Sequence, residues 1–268
     1  MSVDPAIADF YAGAPEENRL ASGDGLLEQL RTRELIERHA PPPPAIVLDV
    51  GGAAGVYALW LTERGYTVHL VDASPRLVAE AERRAAGRLA SCKVGDARRL
   101  ELEDQAADFV LMLGPLYHLT DAADRARALA EAKRVLKPGG WLFAAVISRW
   151  ASALDGLNRD LLRDPSFASI MERDLAEGQH RNPTGRPDYF TTAYFHRPDE
   201  IAAEVEAAGF TGTRVFGIEG PGWLLADIRD RMTDDRRRAD VLRVARLLES
   251  EPALLGVSAH LLAVARSR

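Results

Sequence analysis

The stretch VLDVGGAAG at residues 47–55 decides the fold, because an apolar run ends in an acidic residue and passes into a glycine-rich turn that opens a helix. Gly51 and Gly52 permit unusual backbone angles and let a ligand approach the chain where side chains would block it. A strand, a tight turn and a helix start in this order build a nucleotide-sized pocket.

TVHLVDASP at 67–75 places Asp72 at the end of a second apolar run, where a carboxylate can accept hydrogen bonds from both hydroxyls of a ribose. CKVGDARRL at 92–100 carries Asp96 after Gly95, and ADFVLMLGPLYHL at 107–119 runs into the turn residues Gly114 and Pro115. Strands near Ile46, Val68, Lys93, Phe109 and Leu142 alternate with helical runs at 75–89 and 121–136, which predicts an α/β, doubly wound, mostly parallel sheet. Ligands then belong at the carboxyl ends of the strands. Asp121 reads as a helix N-cap, and Lys137, Pro138, Gly139 and Gly140 combine a basic last turn, a helix stop and a reversal. A dinucleotide fold wants G-x-G-x-x-G, which neither register from Gly51 or Gly52 supplies, and no Gly-Lys-Ser/Thr follows to make a P-loop.

The order of acidic glycine turn, ribose acid, second acidic strand end, GPLYHL loop and VLKPGGWL resembles the class I S-adenosylmethionine-dependent methyltransferases of the small-molecule type, from Ile46 to about Gly217. The resemblance implies a seven-stranded Rossmann-like sheet whose last strand, here SAHLLAVARSR at 258–268, is antiparallel. It also implies S-adenosylmethionine as cofactor. The cofactor-binding residues it points to are Asp49, Gly51, Gly52, Ala53, Gly55, Tyr57, Asp72, Ala73, Asp96, Ala97, Arg98, Leu113 and Tyr11. Asp49 would orient the cofactor ammonium or support the turn; Asp72 would hold the ribose; Asp96, with Ala97 and Arg98, would meet the adenine edge or cap its own turn. Ala53 stands where the family has its middle glycine, and its methyl group is tolerable if the backbone angle there is ordinary. Tyr57 and Tyr11 would close over the cofactor or pack as core aromatics.

Methyl transfer asks mainly for position, since a nucleophile must meet the sulfonium methyl in line with sulfur and away from water. Orienting two reactants removes roughly 7–11 kcal/mol of barrier, so the lack of a catalytic triad is no objection. The resemblance puts the GPLYHL loop beside the reactive methyl and makes Tyr117 and His118 the catalytic candidates. His118 is suited to take a proton near neutral pH, and equally to stabilise the loop or hold a water.

Residues 1–44 read as an N-terminal helical cap ended by the proline run at 41–44, and 45–268 as the S-adenosylmethionine-binding methyltransferase domain. Two insertions, 148–196 and the largely helical 221–252, would form the substrate lid. In them His180, Tyr189, Tyr194, His196 and Trp223 would wall the acceptor pocket, a packed lid being the other reading of the same aromatics. The stretch RDRMTDDRRRADVLRVARLLE at 229–249 mixes Asp with Arg at helical spacing, as a solvated helix face does.

With 34 basic and 40 acidic residues the chain carries a formal charge of −6, which disfavours a nucleic-acid partner. At 268 residues, 47% hydrophobic and 28% charged, it has length for one large domain with additions. The single cysteine, Cys92, excludes an internal disulfide and suits a reducing compartment. No basic and apolar leader opens the sequence and no apolar run is long enough to cross a bilayer, so the expected location is cytoplasmic. The six histidines show no zinc-helix spacing, and no metal is expected. The sequence thus points to methylation of O or N of a small metabolite or natural product. The alternatives are a tRNA or protein methyltransferase, and a non-catalytic S-adenosylmethionine-binding module.

Overall fold

Five apolar runs become the parallel strands β1 (Ile46–Val50), β2 (Thr67–Asp72), β3 (Ser91–Val94), β4 (Ala107–Met112) and β5 (Leu136–Ser148) in the computed structural model, which describes Ile7, Phe10 and residues 19–268. Hydrogen bonding orders them β3-β2-β1-β4-β5, so the chain reverses its direction of travel between β1 and β4. β8 (Phe210–Gly217) and β9 (His260–Ser267) complete the far edge: β9 pairs antiparallel with both β5 and β8. β8 therefore runs the same way as β1–β5 and ends on the same carboxyl edge, where β9 begins.

The helices between these strands start where the sequence caps them. Ser74 accepts the Leu77 amide ahead of α3 (Pro75–Ala85), with proline in its first turn. Asp121 accepts the amides of Ala123 and Asp124 at the start of α5 (Ala122–Val135). α1 (Gly23–His39), α2 (Val56–Glu63) and α3 bring Leu35, Ile36, Ala58, Leu61 and Ala81 to one face of the sheet. α5 and α8 (Pro198–Ala207) bring Ala128, Leu129, Ala132, Val135, Ile201 and Val205 to the other. The short α4 (Pro115–His118) follows β4 directly. Cys92 belongs to the first of these clusters, and burial, with Glu82 nearby, pushes its thiol up to about 11.

The first insertion differs from the sequence expectation. It holds α6 (Ala151–Asn158) and α7 (Pro165–Glu177), and then two further strands, β6 (Gln179–His180) and β7 (Ala193–His196), where none was foreseen. β7 pairs in parallel with Ile147 and Ser148, at the end of β5 beyond the reach of β4. Two residues of pairing are too short a run to leave a periodic signal. The second insertion is helical as read, forming α9 (Ile228–Thr233) and α10 (Asp235–Leu248).

α1, α10 and the end of β8 are joined by a buried ion cluster. The Arg31 side chain is fully buried; it bonds Glu34 and Glu249 and donates from Nε to the Ile218 carbonyl at 3.3 Å, while Arg38 bonds the other oxygen of Glu249. Removing one member of such a pair strands a buried charge, so Glu249→Gln is expected to lower unfolding stability by about 3 kcal/mol. Denaturant unfolding checks this, and a loss below about 0.5 kcal/mol, the scale of ordinary surface changes, would contradict it.

Candidate active site

The turns after β1, β2 and β3 and the loop after β4 surround a cavity of about 980 Å³ on the carboxyl edge. That is near the upper end of the roughly 300–1,000 Å³ usual for small-molecule sites, room for a nucleoside and a second small molecule. Asp49, Gly51, Gly52, Ala53, Tyr57, Asp72, Ala73, Asp96, Ala97, Arg98 and Leu113 all line it, as do Tyr117 and His118. Gly55 stands at the N-cap of α2 with a φ of 82°. Tyr11 lies outside the described residues.

The glycine turn is held from two sides. The Gly51 amide donates to the Val71 carbonyl at 2.7 Å, and the Ala53 amide donates to Asp72 Oδ2 at 2.9 Å. Asp72 Oδ1 accepts the Ser74 amide at 2.8 Å, so one carboxylate ties the β1 turn to the start of α3. Gly51 adopts a φ of 72°, and a Cβ on it would lie 2.7 Å from Pro115 Cδ, so this glycine lets the β1 and β4 loops touch.

The carboxylates along this edge differ in charge state. Burial, with Asp72 close by, pushes Asp49 up to about 7, and the Ala58 amide of α2 pulls only partly the other way. Its Oδ2 is buried without a hydrogen-bond partner. An orphaned acidic oxygen fits the ammonium end of the cofactor that the sequence implies. Asp96 is gripped by Arg98 through Nε at 2.9 Å and Nη2 at 2.6 Å, and that hydrogen bonding holds its carboxyl below the usual range. Arg98 also reaches Asp124 at 2.7 Å, closing the β3 end of the cavity.

The aromatics of the insertions sit elsewhere. His180, Tyr189, Tyr194, His196 and Trp223, expected to wall the acceptor pocket, are absent from the cavity lining. They are committed to one another and to nearby charges instead. His180 meets Asp174 through Nδ1 and the Tyr189 carbonyl through Nε2, both at 2.8 Å, and Tyr189 donates to Asp164 at 2.7 Å. Tyr194 lies under Arg125, 4.0 Å from ring centre to guanidinium carbon; His196 is fully buried against Glu204 at 3.4 Å; Trp223 donates to the Val257 carbonyl at 2.8 Å. They form packed, hydrogen-bonded clusters within the insertions. His118 joins them, donating from Nδ1 to the Thr192 carbonyl at 3.2 Å and stacking on Phe190, whose ring also meets Phe10 at 5.3 Å.

The cavity is also lined by residues not singled out in the sequence: Ile7, Leu20, Glu28, Ala145, Ile218 and His260. Their common signal is topological, since Ile218 and His260 flank the β8 end and the β9 start on the ligand edge.

Ala53 corrects one expectation. Its φ is 46°, in the left-handed region and not the ordinary one that would make its methyl group harmless. A Cβ there costs about 1 kcal/mol, so Ala53→Gly is expected to raise stability by about that amount, as thermal or denaturant unfolding reads. An unchanged or lower stability would show the angle to be free of strain.

The comparisons agree with this geometry. Residues 48–144 match the methyltransferase domain family. A ubiquinone/menaquinone biosynthesis C-methyltransferase of Acidiphilium cryptum is 34% identical over 74% of this chain and 82% of its own length. A ubiquinone biosynthesis O-methyltransferase of Xylella fastidiosa is 29% identical over 81% of this chain and 79% of its own. The fold is shared with an S-adenosylmethionine-dependent methyltransferase structure from Methanosarcina mazei, with a TM-score of 0.58 and 21% identity over 87% of this chain and 96% of that one. The chain belongs to the class I S-adenosylmethionine-dependent methyltransferases.

Proposed function

We propose that this methyltransferase modifies O or N of a small metabolite, with Asp49, Asp72 and Asp96 along the cofactor half of the cavity and the β5, β8 and β9 ends around the acceptor. The observation that carries the reading is the cover of the cavity. Ile7 and Leu20 of the N-terminal segment line it and are each only 6% exposed. A macromolecular acceptor would need an open approach there, and the net charge of −6 offers a polyanion no general attraction. The relatives named for C- and O-methylation in quinone biosynthesis support a small acceptor of apolar character, which suits a half-cavity walled by Leu20, Ala145 and Ile218.

When bound, S-adenosylmethionine supplies an electrophilic methyl group. The residues of this chain bind and orient it: Asp72 receives the ribose hydroxyls, Asp49 the ammonium, and Asp96 with Arg98 the adenine edge. The lid on which His118 is fastened excludes water, raising the strength of every electrostatic contact inside.

Two predictions test these roles. Asp72→Ala removes charge-assisted hydrogen bonds worth about 1.5–3 kcal/mol, so calorimetry is expected to find S-adenosylmethionine bound about 10- to 100-fold more weakly. Near-normal affinity would refute the ribose role. Asp49 makes binding pH-dependent. Its folded carboxyl titrates near 7, well above the unfolded value of about 3.9, so in the free protein it withdraws stability as pH rises between those values. A cationic ligand group favours its ionised form, so binding below pH 7 releases a proton and affinity climbs with pH up to about 7 before levelling. Calorimetry at pH 6 in buffers of different ionisation enthalpy is expected to detect that proton, and Asp49→Asn to abolish its release. No release from the wild type would place the ammonium elsewhere.

A further inference from the structure

At the acceptor end of the cavity, Glu219 follows β8 and His260 opens β9, so the antiparallel pairing of the two strands brings them together across 41 residues of sequence. Glu219 is 1% exposed and is held by Ser258 Oγ at 2.6 Å and the His260 amide at 3.0 Å, both through Oε2. Its Oε1 meets His260 Nδ1 at 2.6 Å. A buried carboxylate on Nδ1 fixes the imidazole orientation, and Nε2 is then the nitrogen through which the ring exchanges a proton with a ligand. His118, the other cavity histidine, turns its Nδ1 to an uncharged carbonyl instead.

We propose that His260, oriented by Glu219, is a catalytic residue that takes the proton of a phenolic or enolic hydroxyl seated in the half of the cavity bounded by β5 and β9. The inference rests on the methyltransferase reading and adds to it the acceptor class. As the acceptor O–H bond breaks, its proton passes to Nε2 and the oxygen pair forms the O–CH₃ bond. The pair of the C–S bond leaves with sulfur, so the positive charge moves from sulfonium to imidazolium.

The charged groups facing the ring are Glu219 from the end of β8 and Glu28 of α1, 3.8 Å from Nδ1, with Arg19 bonded to Glu28 at 2.5 and 3.1 Å. Burial would depress the imidazole, but the two carboxylates outweigh it and push it up to about 9. The ring therefore takes a proton only in its neutral form, whose share grows as pH rises toward 9, and it can serve a phenol, whose own value is about 10; an aliphatic alcohol is too weak an acid to be served. The carboxylates and imidazole lie within 4.8 Å of one another, as metal ligands do, but Arg19, Ser258 and the His260 amide already engage the carboxylates. The neighbouring wall of Leu20, Ala145 and Ile218 is apolar, as a flat ring requires.

The test uses the full chain loaded with S-adenosylhomocysteine, 4-nitrophenol as a chromophoric phenol, and the variants His260→Gln and Glu219→Gln. All three proteins are expected to bind S-adenosylhomocysteine alike, which also reports that the variants fold. The wild type should bind 4-nitrophenol and lower its ionisation midpoint, read by phenolate absorbance. His260→Gln should lose that shift and bind about tenfold more weakly. By NMR, the His260 imidazole should titrate near 9 in the wild type and fall by more than one pH unit in Glu219→Gln. Failure of the loaded wild type to bind the phenol, the same ionisation shift in His260→Gln, or an imidazole titration indifferent to Glu219 would each overturn the proposal. Failure of the wild type to bind S-adenosylhomocysteine would overturn the methyltransferase reading beneath it.

Discussion

The Asp72 carboxylate is the constraint on which the site depends. By accepting the Ala53 and Ser74 amides it joins the turn leaving β1 to the helix leaving β2. The Gly51 amide, bonded to the Val71 carbonyl, fixes the other end of the same turn. Hydrogen bonds to a buried carboxylate are charge-assisted and strong, so the loop is shaped before any ligand arrives. The cost is visible at Ala53, whose left-handed backbone is held by these contacts although its side chain disfavours it.

From that fixed turn the division of the cavity follows. Strands on the β3 side contribute acids whose charge states differ because their neighbours differ: Arg98 keeps Asp96 ionised, while burial beside Asp72 keeps Asp49 near the point of protonation. Strands on the β5 side contribute apolar wall and, at the β8 and β9 ends, one histidine backed by a carboxylate. The antiparallel last strand matters here, because it starts on the ligand edge and so delivers His260 to it.

Much of this was legible in the sequence. Val47 to Gly55, Asp72 and Asp96 could be placed because each sits at the end of an apolar run, and strand ends of a parallel sheet share one edge. Helix starts at Pro75 and Asp121 were legible because caps act locally. The insertion aromatics were misplaced for a physical reason: a segment dense in His, Tyr, Gly and Pro looks the same whether its polar groups face a ligand or each other. His180 with Asp174, and Tyr189 with Asp164, bond one another within the insertion. Glu28, Glu219 and His260 left no local trace, since three distant segments supply them and only the folded sheet brings them together. The angle at Ala53 was equally hidden, as a methyl group in sequence does not announce its φ.

The most direct measurement is a crystal structure of the protein grown with S-adenosylhomocysteine. Density for the adenosyl group is expected along the ends of β1, β2 and β3, with its ribose on Asp72 and its sulfur turned toward the space before His260. Density seated anywhere else on the molecule, or a sulfur turned away from β5 and β9, would contradict that placement.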